Sequence, residues 1–136
     1  MNEDYHQAAQ RMFHDGDHLL NSDRYGTACH LFGLAAECAV KSHLKVVARA
    51  SGNAGSQMAD AVPRKHLPDL VSDAYKMLSG RRVSGRGGLL QVLSMPKYME
   101  GWRIENRYWQ DASFDKPTCA MYRLHARRTL SSVGIP

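Results

Sequence analysis

The sequence predicts an all-α protein, an antiparallel helical bundle of four long helices plus a short one. Apolar residues recur at three- and four-residue spacing over long segments, which is the pattern of amphipathic helices. No segment alternates apolar and polar residues as a half-buried strand does. Glycine, proline, serine and asparagine separate the periodic segments. Because 136 residues are the usual length of one domain, we predict a single domain over residues 1–136.

The first two helices are predicted over residues 4–20 and 24–50. The first has a single apolar stripe, and the polar residues 21–23 end it. The second is apolar around most of its circumference, which is typical of a central helix that several neighbours contact. Within it, Gly33 and Ala36 are small enough to let a neighbour approach closely.

The second half of the chain is less regular. A third helix is predicted to begin near Pro68 and to end at Gly80, and a short helix spans 89–95. Residues 97–114 are irregular and rich in aromatic side chains. The last helix is predicted to start near Asp115, a capping residue followed by an early proline. Between the third and the short helix, residues 80–88 should form a flexible basic loop.

Charge, hydropathy and cysteine content indicate the kind of partner and the compartment of the protein. The net charge of +5 and the pI of about 9.3 favour an anionic partner such as RNA or an acidic protein. No apolar run approaches the roughly 18 residues that span a bilayer, and the first residues are acidic and polar, so we expect no membrane partner and a cytoplasmic protein. The cysteines at 29, 38 and 119 should be reduced core residues.

The second helix carries a recognisable pattern of small and charged residues. It places Ala28 before a Gly-x-Ala-x-Glu motif (Gly33, Ala35, Glu37), with Lys41 one turn later. This pattern resembles the second helix of HEPN domains, the "higher eukaryotes and prokaryotes nucleotide-binding" family. The segments 66–70 and 102–108 are similar to the start of that family's next helix and to the segment before its final helix.

The resemblance implies a HEPN-like antiparallel bundle, often a homodimer. It also implies a choice of roles. Some members are metal-independent endoribonucleases, commonly toxins or phage-defence effectors. Others lack catalytic residues and serve as RNA-binding modules or as partners of nucleotidyltransferases. The partners implied are therefore RNA, a nucleotidyltransferase or an antitoxin protein, in a toxin–antitoxin or defence setting.

The nuclease branch of that family carries an arginine followed after four to six residues by a histidine, near the start of the final helix. This chain departs from that signature. Arg123 is followed by His125, which is too close, and Arg107 has no histidine within reach. On a helix, His125 lies about 200° around the axis from both Arg123 and Arg127, so it should point away from them. We therefore expect a non-catalytic or atypical module.

An alternative is an endoribonuclease with a displaced site. Its candidate residues are His30, Glu37 and Lys41 together with nearby arginines, since Glu37 and Lys41 lie one turn apart and His30 lies two turns earlier on the same side. The structural interpretation, which the sequence favours, is an ion pair that also holds a neighbouring loop. A third possibility is a helical protein-interaction subunit with incidental basic charge.

Candidate nucleic-acid contacts are the loop arginines and the arginines of the last helix, namely Arg81, Arg82, Arg86, Arg123, Arg127 and Arg128. Trp102, Tyr108 and Trp109 could stack on bases, although such aromatics more often anchor an irregular segment to the core. The first helix carries His6, His14 and His18 on its polar face, where solvation is a better account than metal binding. No cofactor fingerprint is present, so we predict neither a metal nor a cofactor.

Overall fold

The computed structural model describes residues 3–50, 62–79 and 86–136. Within these ranges all regular structure is helical. The described residues form five α-helices: α1 (Tyr5–Asn21), α2 (Tyr25–Ala50), α3 (Asp69–Leu78), α4 (Arg86–Leu93) and α5 (Lys116–Ser132). Three short 3₁₀ helices lie between them, at Val62–Arg64, Ile104–Tyr108 and Asp111–Ser113. The predicted helical bundle is thus confirmed for the part of the chain that the structure describes.

The helix boundaries follow local capping chemistry. The side chain of Asp4 accepts a hydrogen bond from the Gln7 N–H at 2.9 Å, and this cap begins α1. Asp115 accepts from the Thr118 N–H at 2.8 Å and begins α5 in the same way, as the sequence predicts. Both carboxylates satisfy amides that have no partner within their own helix.

The helix α2 is the centre of the bundle, as its nearly continuous apolar surface predicts. It packs mainly against α1 and α5 and also contacts α3 and the 3₁₀ helix 104–108. Two contacts fix the direction of α5 relative to α1: Arg123 pairs with Asp17, and Arg127 lies over Phe13, four residues earlier. The two helices are therefore antiparallel.

The buried side chains of the five helices and of residues 62–67 and 99–102 form one core. Trp102 is its largest fully buried side chain and packs against Gly33 of α2. Cys29, Cys38 and Cys119 are buried and unbridged, in agreement with the prediction of reduced core cysteines.

The predicted basic loop is only partly described. Gly80 and residues 81–85, including Arg81 and Arg82, lie outside the described residues. The prediction of a loop through residue 88 is wrong at its end, because α4 already begins at Arg86. Burial of Leu89 and Leu93 in the core outweighs the low helix propensity of the glycines at 87 and 88.

The large apolar side chains of α2 are mostly covered within the chain itself. Among its described residues Val46, 58% exposed, is the exception. In the described part of α2, contacts with α1, α5 and Trp102 cover most of its apolar surface. Within the described ranges, no helix combines the length and apolar content that crossing a membrane requires.

Candidate functional site

Glu37 is a buried carboxylate at the middle of α2 that receives hydrogen bonds from three groups. Lys41 Nζ, one turn later, lies 3.2 Å from Oε2. The Leu67 N–H donates to Oε1 at 3.1 Å, and His66 Nδ1 lies 3.0 Å from Oε2 and 3.1 Å from Oε1. Because a buried charge needs such partners, Glu37 holds residues 66–67 against α2. The structural interpretation of the sequence predicts this arrangement, an ion pair that also holds a neighbouring segment in place.

The histidine at position 66 is held on one side and open on the other. Its Nδ1 faces the Glu37 carboxylate, while 44% of its side chain is exposed. A carboxylate at Nδ1 fixes the proton there and leaves Nε2 as the ring nitrogen that can accept a proton. A histidine oriented in this way is the arrangement used for general-base catalysis.

The exposed side of this ring faces a pocket of about 320 Å³ formed by residues 64–69 and 103–105, here called the His66 pocket. Arg64 and Arg103 are exposed and line it, and neither has an acidic partner among the described residues. Lys65 also lines it but is held by Asp73, with Nζ 2.8 Å from Oδ2.

A smaller pocket, here called the α2 pocket, has a volume of about 100 Å³. It lies between the first turns of α2, which contribute Gly26, Thr27 and His30, and residues 106–114. His30 is only 8% exposed, and its ring stacks on Trp102 with centroids 5.6 Å apart. Burial, together with the charge of Arg107, lowers the pKa of His30, against a smaller opposing effect of Glu37.

No protein-family model, curated protein or solved structure matches this chain.

The displaced-site candidates are brought together only in part. Glu37 and Lys41 are in contact, but His30 lies in the α2 pocket rather than beside them, and His66 occupies the place beside Glu37 instead. The sequence did not single out His66. The signal that was available was the need of a buried Glu37 for a further partner, but no spacing links two residues 29 positions apart.

Two of the three arginines of α5 are held by contacts within the chain. Arg123 makes a two-pronged ion pair with Asp17, in which Nη2 lies 2.9 Å from Oδ2 and Nε also contacts Oδ1. Arg127 lies over Phe13 and donates to the Ile135 carbonyl at 2.7 Å. Arg128 is exposed beside Met95 and lines one pocket together with Arg127.

His125 is turned into the core, away from Arg123 and Arg127, as its helical position predicts. Its Nδ1 accepts a hydrogen bond from the Met99 N–H at 2.9 Å, and its ring stacks on Tyr98. Burial, with a smaller contribution from Arg128, lowers its pKa. The ring therefore supports the turn at residues 97–101 instead of facing a substrate.

The aromatic candidates divide by exposure. Trp102 is buried and stacks on His30, so the suggestion that it stacks on bases is wrong. Tyr108 and Trp109 are 77% and 47% exposed, and Arg107 lies over the Tyr108 ring.

His6, His14 and His18 are exposed on α1. Among the described residues, no three His, Cys, Asp or Glu side chains are grouped so that they could hold a metal ion.

Proposed function

We propose that this chain is a HEPN-type helical module that binds RNA, and that the His66 pocket is its main contact with the phosphate backbone. The observation that carries the proposal is the pair of exposed arginines, Arg64 and Arg103, that face one pocket without an acidic partner among the described residues. The pattern of small and charged residues on α2 and the helical architecture support the HEPN-type part of the proposal.

The formal charges that line the His66 pocket balance, so the support for an anionic ligand comes from the kind of donor and not from net charge. Asp69 and Glu105 line it together with the two arginines and Lys65, whose charge Asp73 already matches. A guanidinium group presents several donors in the geometry of a phosphate, so two unpaired arginines favour phosphate over a neutral ligand. The pocket is also open enough to admit a strand, since His66 and both arginines reach solvent.

Salt titration of binding to single-stranded RNA tests this proposal. Each phosphate contact on a single strand contributes about 0.7 to the slope of log affinity against log salt, so Arg64→Ala with Arg103→Ala should reduce the slope by about 1.4. Arg11→Ala, which removes an exposed arginine on α1, is the matched control. A slope that the double variant leaves unchanged would contradict the assignment to this pocket. The variant Arg81→Ala, Arg82→Ala, Arg86→Ala measures any contribution from residues 80–88.

Absence of RNA binding by the parent protein at low salt would contradict the proposal and favour a protein partner. The HEPN resemblance then points to a nucleotidyltransferase or an antitoxin protein, in a toxin–antitoxin or phage-defence setting. A small nucleotidyltransferase encoded beside this chain would favour that outcome. The same resemblance carries the proposal of a homodimer, which light scattering at micromolar concentration tests. A monomer at that concentration would contradict it.

A second candidate function is metal-independent cleavage of the bound RNA at the His66 pocket. The specific observation is the contact between the buried Glu37 carboxylate and His66 Nδ1. In this reaction His66 Nε2 takes the proton of a ribose 2′-hydroxyl. The 2′-oxygen attacks the adjacent phosphorus, and the bond to the 5′-oxygen breaks. The 5′-oxygen takes a proton from water, a 2′,3′-cyclic phosphate remains, and Arg64 and Arg103 stabilise the charge that develops on the phosphoryl oxygens.

The test of this second function is RNA cleavage in the presence of a chelator. We expect fragments with 2′,3′-cyclic phosphate ends, and we expect His66→Ala to abolish them while RNA binding persists. His30→Ala and His125→Ala are the matched controls, because both rings lie away from the His66 pocket. Absence of cleavage by the parent protein, or cleavage that survives His66→Ala, would reject the catalytic role and leave RNA binding as the function.

A further inference from the structure

The first turn of α2 contributes hydrogen-bond donors to the α2 pocket. Gly26 and Thr27 of this turn line the pocket, and no described side chain caps it. The first amides of a helix have no acceptor within the helix and together carry a partial positive charge. A helix of the length of α2, Tyr25–Ala50, develops this charge fully.

A second and independent feature of this pocket is a buried histidine without a hydrogen-bond partner. His30 is 92% buried (8% exposed) and forms part of the pocket wall. Its Nδ1 is enclosed and has no partner among the described residues, so a ligand in the pocket would contact the other ring nitrogen, Nε2, for which no hydrogen bond is described there either. Since burying a polar group without a partner is costly, a ring held in this state is well placed to contact a ligand.

Residues 106 and 107 bring further donors from the opposite side. Asn106 is buried, and its side-chain oxygen accepts from the Arg103 N–H, which leaves its NH₂ group as a donor. Arg107 lines the pocket and has no acidic partner among the described residues. Amides, a guanidinium and an imidazole thus surround a space of about 100 Å³.

One hydrogen-bond acceptor, a carboxylate, lies among these donors. The carboxylate of Asp111 also lines the α2 pocket, and its Oδ1 lies 3.7 Å from the position that a Cβ atom on Gly26 would take. Asp111 therefore stands near the helix N-terminus where an incoming anion would lie. Its charge is expected to weaken anion binding without removing the donors.

We propose that the α2 pocket is a phosphate subsite, which takes the oxyanion of inorganic phosphate or of a phosphate group on a nucleic-acid strand. The 3₁₀ helix 104–108 lies between this pocket and the His66 pocket, since Ile104 and Glu105 line one and Asn106 and Arg107 line the other. His30 and Glu37 are seven residues apart on α2, which is about 10.5 Å along the helix. One strand can therefore place different phosphates at the two pockets.

Titration of the folded chain with inorganic phosphate tests the subsite, with the ring-proton resonances of His30 as the readout. We expect a saturable shift. Arg107→Gln should weaken binding by at least about tenfold, because it removes a charge-assisted hydrogen bond. Asp111→Asn should tighten binding by about threefold or more, because it removes the opposing charge. Arg11→Gln, at an exposed position on α1, is the control and should change nothing. No saturable shift, or a shift that Arg107→Gln leaves unchanged, would overturn the proposal.

Two further comparisons separate the sources of phosphate and the two pockets. The first compares a 5′-phosphorylated trinucleotide with its 5′-hydroxyl counterpart. Binding that is at least about tenfold tighter for the phosphorylated form identifies strand phosphate as the ligand. Equal binding of the two, with inorganic phosphate still shifting the His30 resonances, identifies the free anion. The variant Arg64→Ala with Arg103→Ala should keep the phosphate-dependent shift of His30. The subsite can thus stand even where the proposed RNA binding at the His66 pocket fails.

Discussion

Trp102 lies directly against the backbone of Gly33. A Cβ atom added to Gly33 would lie 1.9 Å from the indole Cε2 and 2.0 Å from Nε1, far inside any allowed contact. Gly33 is thus the position on α2 that lets the aromatic segment before α5 reach the core. The same indole also stacks with His30, three residues earlier on α2, so this contact also supports one wall of the α2 pocket.

The first prediction is that Gly33→Ala destabilises the fold by about 3–5 kcal/mol, because the indole must leave a fully packed site and loses its burial. Urea unfolding followed by circular dichroism measures the change in free energy of unfolding. Gly88→Ala on α4 is the control. Its nearest neighbour would lie at an ordinary 3.7 Å, and a gain of about 0.5–1 kcal/mol is expected from helix propensity. A Gly33→Ala variant as stable as the parent would show that the contact is not tight in solution.

Much of this fold follows from local pattern. The apolar periodicity, the caps at Asp4 and Asp115 and the breaks at residues 21–23 are local signals, and they predict both ends of α1 and the starts of α2 and α5 to within one or two residues. The small residue at Gly33 also indicates a close neighbour. What approaches it, however, is an indole 69 residues later in the chain, and no local signal encodes that pairing.

The candidate site depends on such long-range pairings and was correspondingly harder to predict. Glu37 and Lys41 are visible as a pair because one turn of helix separates them. His66 joins them only because α2 and the segment before α3 pack together. Arg123 is the converse case. The sequence offers it as a nucleic-acid contact because no acidic residue lies near it on α5, but the antiparallel packing of α1 and α5 brings Asp17 to it as a partner.

The second prediction concerns the charge of Glu37. Glu37→Gln keeps the size of the side chain but removes the carboxylate that pairs with the buried Lys41. Breaking a buried pair in this way typically costs about 3–5 kcal/mol. The double variant Glu37→Gln, Lys41→Met removes both charges and should recover part of that loss, which a double-mutant cycle from denaturant unfolding measures. A double variant less stable than Glu37→Gln alone would contradict a coupled ion pair.

The third prediction is that stability falls as the pH drops below about 6.5. Burial lowers the pKa of His30, His43 and His125 in the folded chain. Arg107 and Arg128 add to this effect at His30 and His125, and Glu37 opposes it at His30. Between the ordinary histidine pKa of about 6.5 and the lowered values, the unfolded chain binds protons that the folded chain does not. Each such histidine then costs up to about 1.4 kcal/mol per pH unit.

His43 offers the cleanest test of this dependence, since burial is the cause of its shift and its Nε2 has no hydrogen-bond partner among the described residues. Denaturant unfolding of the parent and of His43→Leu between pH 5 and 7.5 should give a shallower decrease for the variant. His14→Leu, at an exposed position on α1, is the control. A parent protein whose stability is constant over this range would contradict the prediction.

The last prediction separates the roles of two histidines. His125 lies closest in sequence to the position of the HEPN nuclease signature, and His66 is the proposed general base. His125 accepts the Met99 N–H, and Met99 itself is buried, so His125→Ala leaves a buried amide without a partner. We expect a loss of about 1–3 kcal/mol in stability and no change in RNA binding or cleavage per folded molecule. His66→Ala should have the opposite pattern of effects. It removes a partly exposed ring and keeps the Leu67 N–H bond to Glu37, so we expect a smaller loss of stability than in His125→Ala. Any RNA cleavage should be lost. Thermal unfolding and cleavage in chelator, measured on both variants at temperatures where each is folded, give the two readouts. Loss of cleavage in a folded His125→Ala protein would mean that the ring reaches a substrate, against its hydrogen bond to Met99 and its stacking on Tyr98.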